Sequence, residues 1–405
     1  MTTLLPPETP APLQPPPDHA APLSKPLLWL MATAAGVGIA NLYYNQPLLD
    51  QMRSTFGVDV GVIGWVPTLT QIGYAIGMLF LVPLGDKLQR KRLVILFTAL
   101  AAIGALLIAV SPSVSMLIGA SFLFGIVTMT PQLLVPFAAS LAAPHEKGRV
   151  VGFMVSGILL GILLARTVAG FVGAWFGWRA MFWLAAAVLA TLAVVLAKVL
   201  PVTKPSYKGS YFGLLYSVWA LLRDQPVLRE ASLFGAMLFG SFMVFWSSLI
   251  HLMESPTFGL GPRAVGLYGL LGAAAALMSP LIGGLADRTS PRRMTGCMIL
   301  LAISSYAFFL LGQSSLLWIG VGVLVMDVGV QLGHVTNQGR IFRLVPEAQS
   351  RIQTGYMFFY FCGAAVGSAL GAWAWTAFGW AGVCGAAVGM LAIALLRWLM
   401  PAAGK

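Results

Sequence analysis

The segment "GDKLQRKR" at residues 85–92 places five charged side chains within eight positions of a chain in which only 9% of residues are charged. Apolar sequence flanks it on both sides, with "GWVPTLTQIGYAIGMLFLVPL" at 64–84 before it and "LVILFTALAAIGALLIAV" at 93–110 after it. Each flank has about the 20 residues that a helix needs to cross the ~30 Å hydrocarbon core of a bilayer. We therefore interpret the segment as a charged turn between two membrane-spanning helices.

The rest of the chain has the same apolar character. Hydrophobic residues make up 59% of its 405 positions, a composition that excludes an ordinary soluble domain. Because lipid satisfies no exposed backbone group, and because the apolar segments are long and do not alternate, they are predicted to be helices and not barrel strands. Twelve such segments can be read along the chain, at 27–48, 62–84, 93–110, 115–140, 150–174, 180–200, 231–252, 265–284, 295–312, 315–338, 352–376 and 381–400.

Basic residues are divided unevenly between the two sets of connections. Of the 24 Lys and Arg residues, Arg53, Arg179 and Arg263 fall in one set, Arg166 falls within a span, and the remaining twenty lie in the other set and the terminal segments. Since cytoplasmic connections carry the excess of Lys and Arg, both termini are predicted to be cytoplasmic, in the inner (plasma) membrane of a bacterial-type cell. This topology accounts for the net charge of +12 without a nucleic-acid partner.

The predicted domain organisation has five parts. Residues 1–26 contain nine prolines and no apolar run, which is typical of a disordered tail and not of a signal peptide. Two bundles follow, at 27–200 and 230–400, with a short C-terminal segment at 401–405. The linker at 201–229 contains "YFGLLYSVWALL", which is too short to span a membrane and is predicted to lie along its surface.

An internal repeat relates the two bundles. Arg149 and the triplet "FGW" at 176–178 recur 202 positions later, as Arg351 and "FGW" at 378–380. A fixed offset over this distance indicates six helices written twice in the same order. The chain is therefore predicted to be an all-α membrane protein of two pseudo-symmetric six-helix bundles, the parallel-repeat layout known from some transporters.

The charged turn takes part in this repeat. "LGDKLQRKR" at 84–92 resembles the signature loop of the major facilitator superfamily, and "GGLADRTSPRRM" at 283–294 resembles its second copy. The fifth predicted span, with its spaced glycines, is similar to the antiporter branch, which contains drug:proton antiporters and sugar-efflux proteins, although it lacks that branch's Gly-Pro pair. The resemblance implies a major facilitator fold and transport by alternating access.

The two loops are predicted to act as gates. A carboxylate at the end of a helix can pair with guanidinium groups and with the N-terminus of a neighbouring helix, which would hold the two bundles together in one state of the cycle. We assign this role to Asp86 and Arg90, and to Asp287 and Arg288 in the second copy. The neighbouring Lys91 and Arg92 are interpreted as topology signals.

Ionisable side chains inside the spans are candidates for proton coupling, because a charge in the bilayer is costly and usually functional. Asp327 is followed at helical spacing by Gln331, His334 and Gln338, which predicts one polar face on the tenth span. Arg166 in the fifth span requires an anion, either Asp327 or a substrate carboxylate. We therefore predict a proton-coupling group of Asp327, His334 and Arg166.

The substrate site is predicted from polar side chains in the first, fourth and tenth spans, which the resemblance implies line a central cavity, and in the second span. Amides and phenols in these positions could bind a ligand, or could equally bond to one another across helices. The candidates are Asn41, Tyr44, Asn45, Gln71, Gln132, Gln331 and Gln338.

These features predict a secondary transporter of a small organic solute. Proton-coupled efflux is preferred, and a symporter or facilitator of a sugar or another metabolite is the alternative. An enzyme, a receptor and a scaffold are disfavoured because the spans hold no paired carboxylates or His-rich cluster and the loops hold no output domain. No cofactor or metal is expected, and the two bundles suffice for a monomeric protein.

Overall fold

A computed structural model describes residues 24–143, 146–203, 210–277, 290–342, 344–345 and 349–401. Within these ranges the chain is helical and contains no strand. The elements are α1 (Lys25–Ala40), a 3-10 turn (Gln46–Leu48), α2 (Leu49–Phe56), α3 (Val60–Ile63), α4 (Trp65–Phe80), α5 (Leu84–Lys87), α6 (Arg90–Ala109), α7 (Val114–Val127), α8 (Thr130–Leu141), α9 (Lys147–Phe176), α10 (Trp178–Val199), α11 (Tyr211–Asp224), α12 (Pro226–Met253), α13 (Pro262–Leu277), α14 (Pro291–Leu311), α15 (Leu316–Ile341) and α16 (Gln349–Leu399).

The helices account for the predicted spans. In the described ranges nine helical stretches are long and apolar enough to cross a membrane. One of them, α16, holds the last two predicted spans, which meet at Gly379, where φ is 63° and ψ is −151°. Two further spans correspond to α1 and α13, each of 16 described residues. The prediction of a multi-span α-helical fold is confirmed.

The first span is less regular than predicted. The span was predicted to run from 27 to 48, but α1 ends at Ala40, and Asn41, Tyr44 and Asn45 lie in successive turns before the 3-10 turn. The Asn41 side chain donates hydrogen bonds to the carbonyls of Val37 and Gly38, at 2.9 and 3.1 Å. It thereby satisfies carbonyl groups that the end of the helix leaves open.

Glycines allow two equivalent helix crossings, one in each bundle. A Cβ on Gly161 of α9 would lie 2.1 Å from the carbonyl oxygen of Gly36 on α1. A Cβ on Gly367 of α16 would lie 2.0 Å from the carbonyl oxygen of Gly240 on α12. Such backbone contact needs residues without side chains. The first and fifth spans therefore cross as the seventh and eleventh do, in agreement with the sequence repeat.

The bundles meet along two lines. The ring of Tyr74 on α4 packs against that of Phe361 on α16, with centroids 4.4 Å apart. On the other side, Thr167 on α9 donates a hydrogen bond to the Gly266 carbonyl of α13 at 2.8 Å. We call the end of the molecule that carries α5 and the start of α12 the basic end, and the end that carries α2 the opposite end.

Helix α11 lies at the basic end, within the predicted linker. One face, with Leu214, Val218 and Leu222, is buried against the bundles. The other face exposes Phe212, which is 80% exposed, together with Trp219. A helix with one packed face and one exposed aromatic face is typical of a position at the membrane surface.

Candidate functional site

Arg166 lies on α9 at the boundary between the bundles and is only 1% exposed. Its Nε donates a hydrogen bond to Gln46 Oε1 at 2.7 Å, and its Nη1 donates to the Ile162 carbonyl at 3.3 Å. Its Nη2 is buried and has no hydrogen-bond partner among the described residues. Because a buried guanidinium with unused donors is unfavourable unless something accepts from them, Nη2 is available to an anion or a polar ligand.

Aromatic rings enclose this guanidinium. Its central carbon lies 4.2 Å from the ring centroid of Trp246, 4.9 Å from that of Tyr43 and 5.4 Å from that of Phe242. Ring faces attract a cation and exclude water from around it. Tyr43 belongs to the first bundle, whereas Phe242 and Trp246 lie on α12 of the second. The charge is therefore held where the two bundles meet.

Gln46 is the residue that positions the arginine, and sequence reasoning missed it. Its side chain is fully buried, and its Nε2 donates to the sulfur of Met243 at 3.4 Å. The 3-10 turn that carries it places Pro47 in its first positions, where the missing N–H has no cost. The available signal was an amide beside a proline, but nothing in the sequence relates it to Arg166, 120 positions away.

Asp327 lies on α15 and is 6% exposed. Within the part of the chain that the structure describes, its Oδ2 is buried without a hydrogen-bond partner. Gly272 of α13 lies behind this oxygen, and a Cβ there would be 3.1 Å from it. The Asp327 and Arg166 charges are close enough to interact electrostatically, but the two side chains form no ion pair. The carboxyl is thus positioned to bind a proton or a ligand donor.

His334 does not join this pair. It lies seven residues beyond Asp327 on α15, or about 10 Å along the helix axis. One of its ring nitrogens, Nε2, is 3.0 Å from Gln338 Nε2, and its ring faces those of Tyr356 and Tyr360, with centroids 6.0 and 5.2 Å away. The polar face of the tenth span therefore divides into an acidic part near Arg166 and an imidazole part beside two tyrosines.

Two of the predicted substrate-binding side chains are hydrogen-bonded to neighbouring helices. Gln132 Nε2 donates to the Tyr74 hydroxyl at 3.0 Å, and Asn45 Nδ2 lies 3.5 Å from Thr70 Oγ1. Gln71 is fully buried, and neither of its amide atoms has a partner.

The other predicted substrate-binding residues differ in burial. Tyr44 is buried and Gln331 is half-buried, whereas the Oδ1 of Asn41 is buried without a partner. Like Arg166 and Asp327, the amides of Gln71 and Asn41 have buried polar atoms that lack a hydrogen-bond partner among the described residues.

The predicted gate at the basic end contains an ion pair within the first bundle. Arg90 Nη2 is 3.0 Å from Asp86 Oδ1, and the same guanidinium donates to the carbonyls of Gly85 and Pro136 at 3.1 Å each. A crevice beside this pair is also lined by Arg351 of α16. Asp287 and Arg288, the predicted second copy, lie outside the described residues.

A second charged cluster at the basic end was not predicted. Glu230 at the start of α12 pairs with Arg340 at the end of α15, at 2.5 Å, and with Arg397 on α16, at 2.8 Å. Sequence reasoning assigned all three to topology or left them out, because their side chains approach one another only after the bundle has formed. The cluster ties three helix ends of the second bundle together.

Comparison with known proteins identifies the fold and the family. A family model described as Major Facilitator Superfamily matches residues 28–352. The chain is 42% identical over 382 residues to "Uncharacterized transporter YgaY" of Escherichia coli O157:H7, covering 94% of this chain and 96% of that protein. It is 34% identical over 391 residues to "Probable transporter SCO4007" of Streptomyces coelicolor, covering 95% and 90%. A bacterial homolog of the human lysosomal transporter Spinster, solved in an inward-facing and unoccupied conformation, superposes with a TM-score of 0.73 at 17% identity, covering 93% of this chain and 97% of that one.

Proposed function

The chain belongs to the Major Facilitator Superfamily of membrane transporters, and we propose that it exports a small organic solute from the cytoplasm in exchange for protons. The observation that supports this proposal best is the relation between Arg166 and Asp327. Each belongs to a different bundle, each is buried, and each has an atom without a hydrogen-bond partner. At this boundary between the bundles, the acid can bind a proton and the cation can bind a polar group of the solute.

The proposed cycle uses the acid as the proton carrier. When Asp327 is protonated, it no longer attracts Arg166, and the guanidinium keeps its bond to Gln46. When Asp327 is ionised, the attraction between the two charges favours a closer approach of the bundles or the binding of a polar solute between them. Because Asp327 would bind a proton with different affinity in the two states, proton binding shifts the population between them.

Aromatic side chains favour an apolar or aromatic solute. Phe239 stacks on Tyr360 with centroids 4.0 Å apart, and Phe242 stacks on Phe239 at 5.6 Å. These rings lie on α12 and α16, next to the aromatic enclosure of Arg166. Such rings contribute contact area and accept cations on their faces, so we propose an amphiphilic organic solute and not a small hydrophilic sugar.

We further propose that the basic end faces the cytoplasm, that the protein lies in the inner membrane with both termini inside, and that it works as a monomer. The bias of Lys and Arg toward the basic end supports the orientation. The crevice beside Asp86 and Arg90 then opens to the cytoplasm. The two bundles of one chain provide both sides of the boundary at which Arg166 and Asp327 lie.

The test is solute-dependent proton movement in proteoliposomes that contain a trapped pH-sensitive dye. We expect that some members of a library of amphiphilic organic solutes, added to one side, will change the internal pH at a rate that rises with protein content. Protein-free liposomes and an imposed pH gradient without solute are the controls. Solute uptake that moves no protons would exclude the coupling, and uptake whose direction follows the proton would indicate symport.

A further inference from the structure

A group of titratable side chains at the opposite end joins the two bundles, far from the gate at the basic end. Asp50 and Arg53 lie on α2 of the first bundle. His251 lies in the last turn of α12, and Glu254 follows that helix directly. The Arg53 Nε is 2.5 Å from Asp50 Oδ1, so Asp50 is ionised and forms an ion pair within its own helix. We call Asp50, His251 and Glu254 the outer cluster.

The carboxyl groups of Asp50 and Glu254 lie close enough to share a hydrogen bond. Two carboxylates offer only acceptors, so such a bond requires a proton on one of them. Asp50 is the better carboxylate because Arg53 donates to it, which leaves Glu254 as the proton donor. A hydrogen bond between these two carboxyl groups would therefore place a proton between the bundles at this end.

His251 adds a third titratable side chain to this contact between the bundles. Its side chain is 6% exposed, and its Nδ1 is buried without a hydrogen-bond partner, 3.9 Å from Asp50 Oδ1. Its ring lies against Trp375 of α16, with centroids 5.7 Å apart. An imidazole nitrogen aimed at a carboxylate at this distance is placed to bond to it after a small movement.

Other charged groups lie around the outer cluster, on the elements next to it. Asp59, in the turn before α3, acts on Arg53 from the solvent side. Arg179 of α10 stacks on Phe56 at the far end of α2, at 5.6 Å from the ring centroid, and donates to the Ser111 carbonyl. Among the described residues, the contacts from α9 and α16 near the cluster are uncharged. The Gly173 carbonyl of α9 accepts a hydrogen bond from Gln51, and Trp375 of α16 packs against His251. Arg53 is thus the cation that acts directly on the acid pair.

We propose that the outer cluster is a second proton-binding site, at which a proton shared between Asp50 and Glu254 holds the two bundles together at the outer end and its release to the external water lets them separate. With the proton lost, two carboxylates face each other and repel. The site is distinct from Asp327. It depends on the proposed function only for the orientation that makes this end the outer one.

The electrostatics agree with this proposal. Burial, followed by the hydrogen bond and the charge of Asp50, raises the pKa of Glu254 to about 9. Burial alone would raise the pKa of Asp50, but hydrogen bonds from Glu254 and Arg53 outweigh it and lower the value. The shared proton is therefore present at neutral pH and is lost as the pH rises through about 9.

The test measures the distance across the outer end as a function of pH. Cys297, Cys362 and Cys384 are replaced by serine, and spin labels are attached through V62C in the first bundle and T257C in the second, both at exposed positions. Pulsed electron resonance of the protein in lipid nanodiscs then gives the distance distribution between pH 6 and pH 10. We expect one short distance at neutral pH and a second, longer one that appears with a midpoint near pH 9.

Glu254→Gln separates this site from other groups that titrate in alkali. Glutamine keeps the shape of the protonated acid and its donor, so the short distance is expected to persist at pH 10. Asp224→Asn, which changes an exposed carboxylate at the basic end, is the matched control and should follow the parent protein. The proposal is overturned if the parent distance does not change with pH, or if Glu254→Gln opens with the same midpoint as the parent.

Discussion

Arg166 and Asp327 interact electrostatically across the boundary between the two bundles without meeting in an ion pair. The guanidinium is instead bound by Gln46, whose Oε1 accepts from Nε at 2.7 Å. Because the amide of Gln46 is neutral, this hydrogen bond does not neutralise the positive charge of Arg166. Arg166 can therefore exchange Gln46 for Asp327 or a solute more easily than it could leave a direct ion pair.

The first prediction concerns the amide that holds the arginine. Gln46→Leu removes the acceptor of a buried charged donor and should lower the free energy of unfolding by about 1–3 kcal/mol. Gln71→Leu is the matched control, since that amide is equally buried but has no partner, so its loss should be neutral or stabilising. Thermal unfolding of both variants in detergent checks this. Equal losses of stability would mean that Gln46 acts only through packing.

The second prediction concerns proton coupling. Asp327→Asn should still exchange solute across the membrane, because an amide keeps the size and polarity of the site, but it should lose accumulation driven by a pH gradient. Exchange of labelled solute and pH-driven uptake, measured in the same proteoliposomes, separate the two effects. Normal accumulation by the Asp327→Asn protein would show that another group carries the proton.

The third prediction uses the same substitution to test the absence of an ion pair. Because Asp327 pairs with no cation among the described residues, Asp327→Asn should leave the melting temperature unchanged or raise it. Glu230→Gln breaks contacts to both Arg340 and Arg397 and should cost about 3–5 kcal/mol, the usual effect of breaking a buried pair. If Asp327→Asn is as destabilising as Glu230→Gln, the acid and Arg166 are a structural pair.

The fourth prediction concerns the gate at the basic end. Asp86→Asn removes the charge that binds Arg90 and should slow transport about five-fold or more, since charge-assisted bonds are roughly twice as strong as neutral ones. The protein should still insert and fold. Asp287→Asn is expected to have a smaller effect. Initial rates of solute uptake, normalised to the amount of reconstituted protein, test both, and full activity of Asp86→Asn would remove Asp86 from the gate.

The fifth prediction concerns the helix crossings. A methyl group on Gly161 would collide with the backbone of Gly36, so Gly161→Ala should lower stability by about 1–3 kcal/mol. Gly152→Ala on the same helix, where a Cβ meets nothing within 4 Å, should have little effect. Unfolding of the two variants side by side gives the comparison, and equal stabilities would contradict the close approach of α1 and α9.

The sequence by itself determined the membrane environment, the all-helical fold class and the internal repeat. Hydrophobic length is a local property, and the bilayer converts it directly into helices. The distribution of Lys and Arg is local as well, and it predicts the direction of those helices. The recurrence of "FGW" likewise identified two equivalent bundles, which the Gly36–Gly161 and Gly240–Gly367 crossings now display. The prediction that Arg166 and Asp327 are intramembrane charges needed only their positions within apolar segments.

Tertiary structure alone decided which polar groups are partners. Gln46 binds Arg166 across 120 positions, and Asp50 meets Glu254 only because α2 and the end of α12 pack together at one end. His334, on the same predicted helix face as Asp327, contacts Tyr356 and Tyr360 instead. Helical periodicity gives the direction of a side chain but not the helix that faces it, because that depends on crossings set by backbone contacts elsewhere in the bundle.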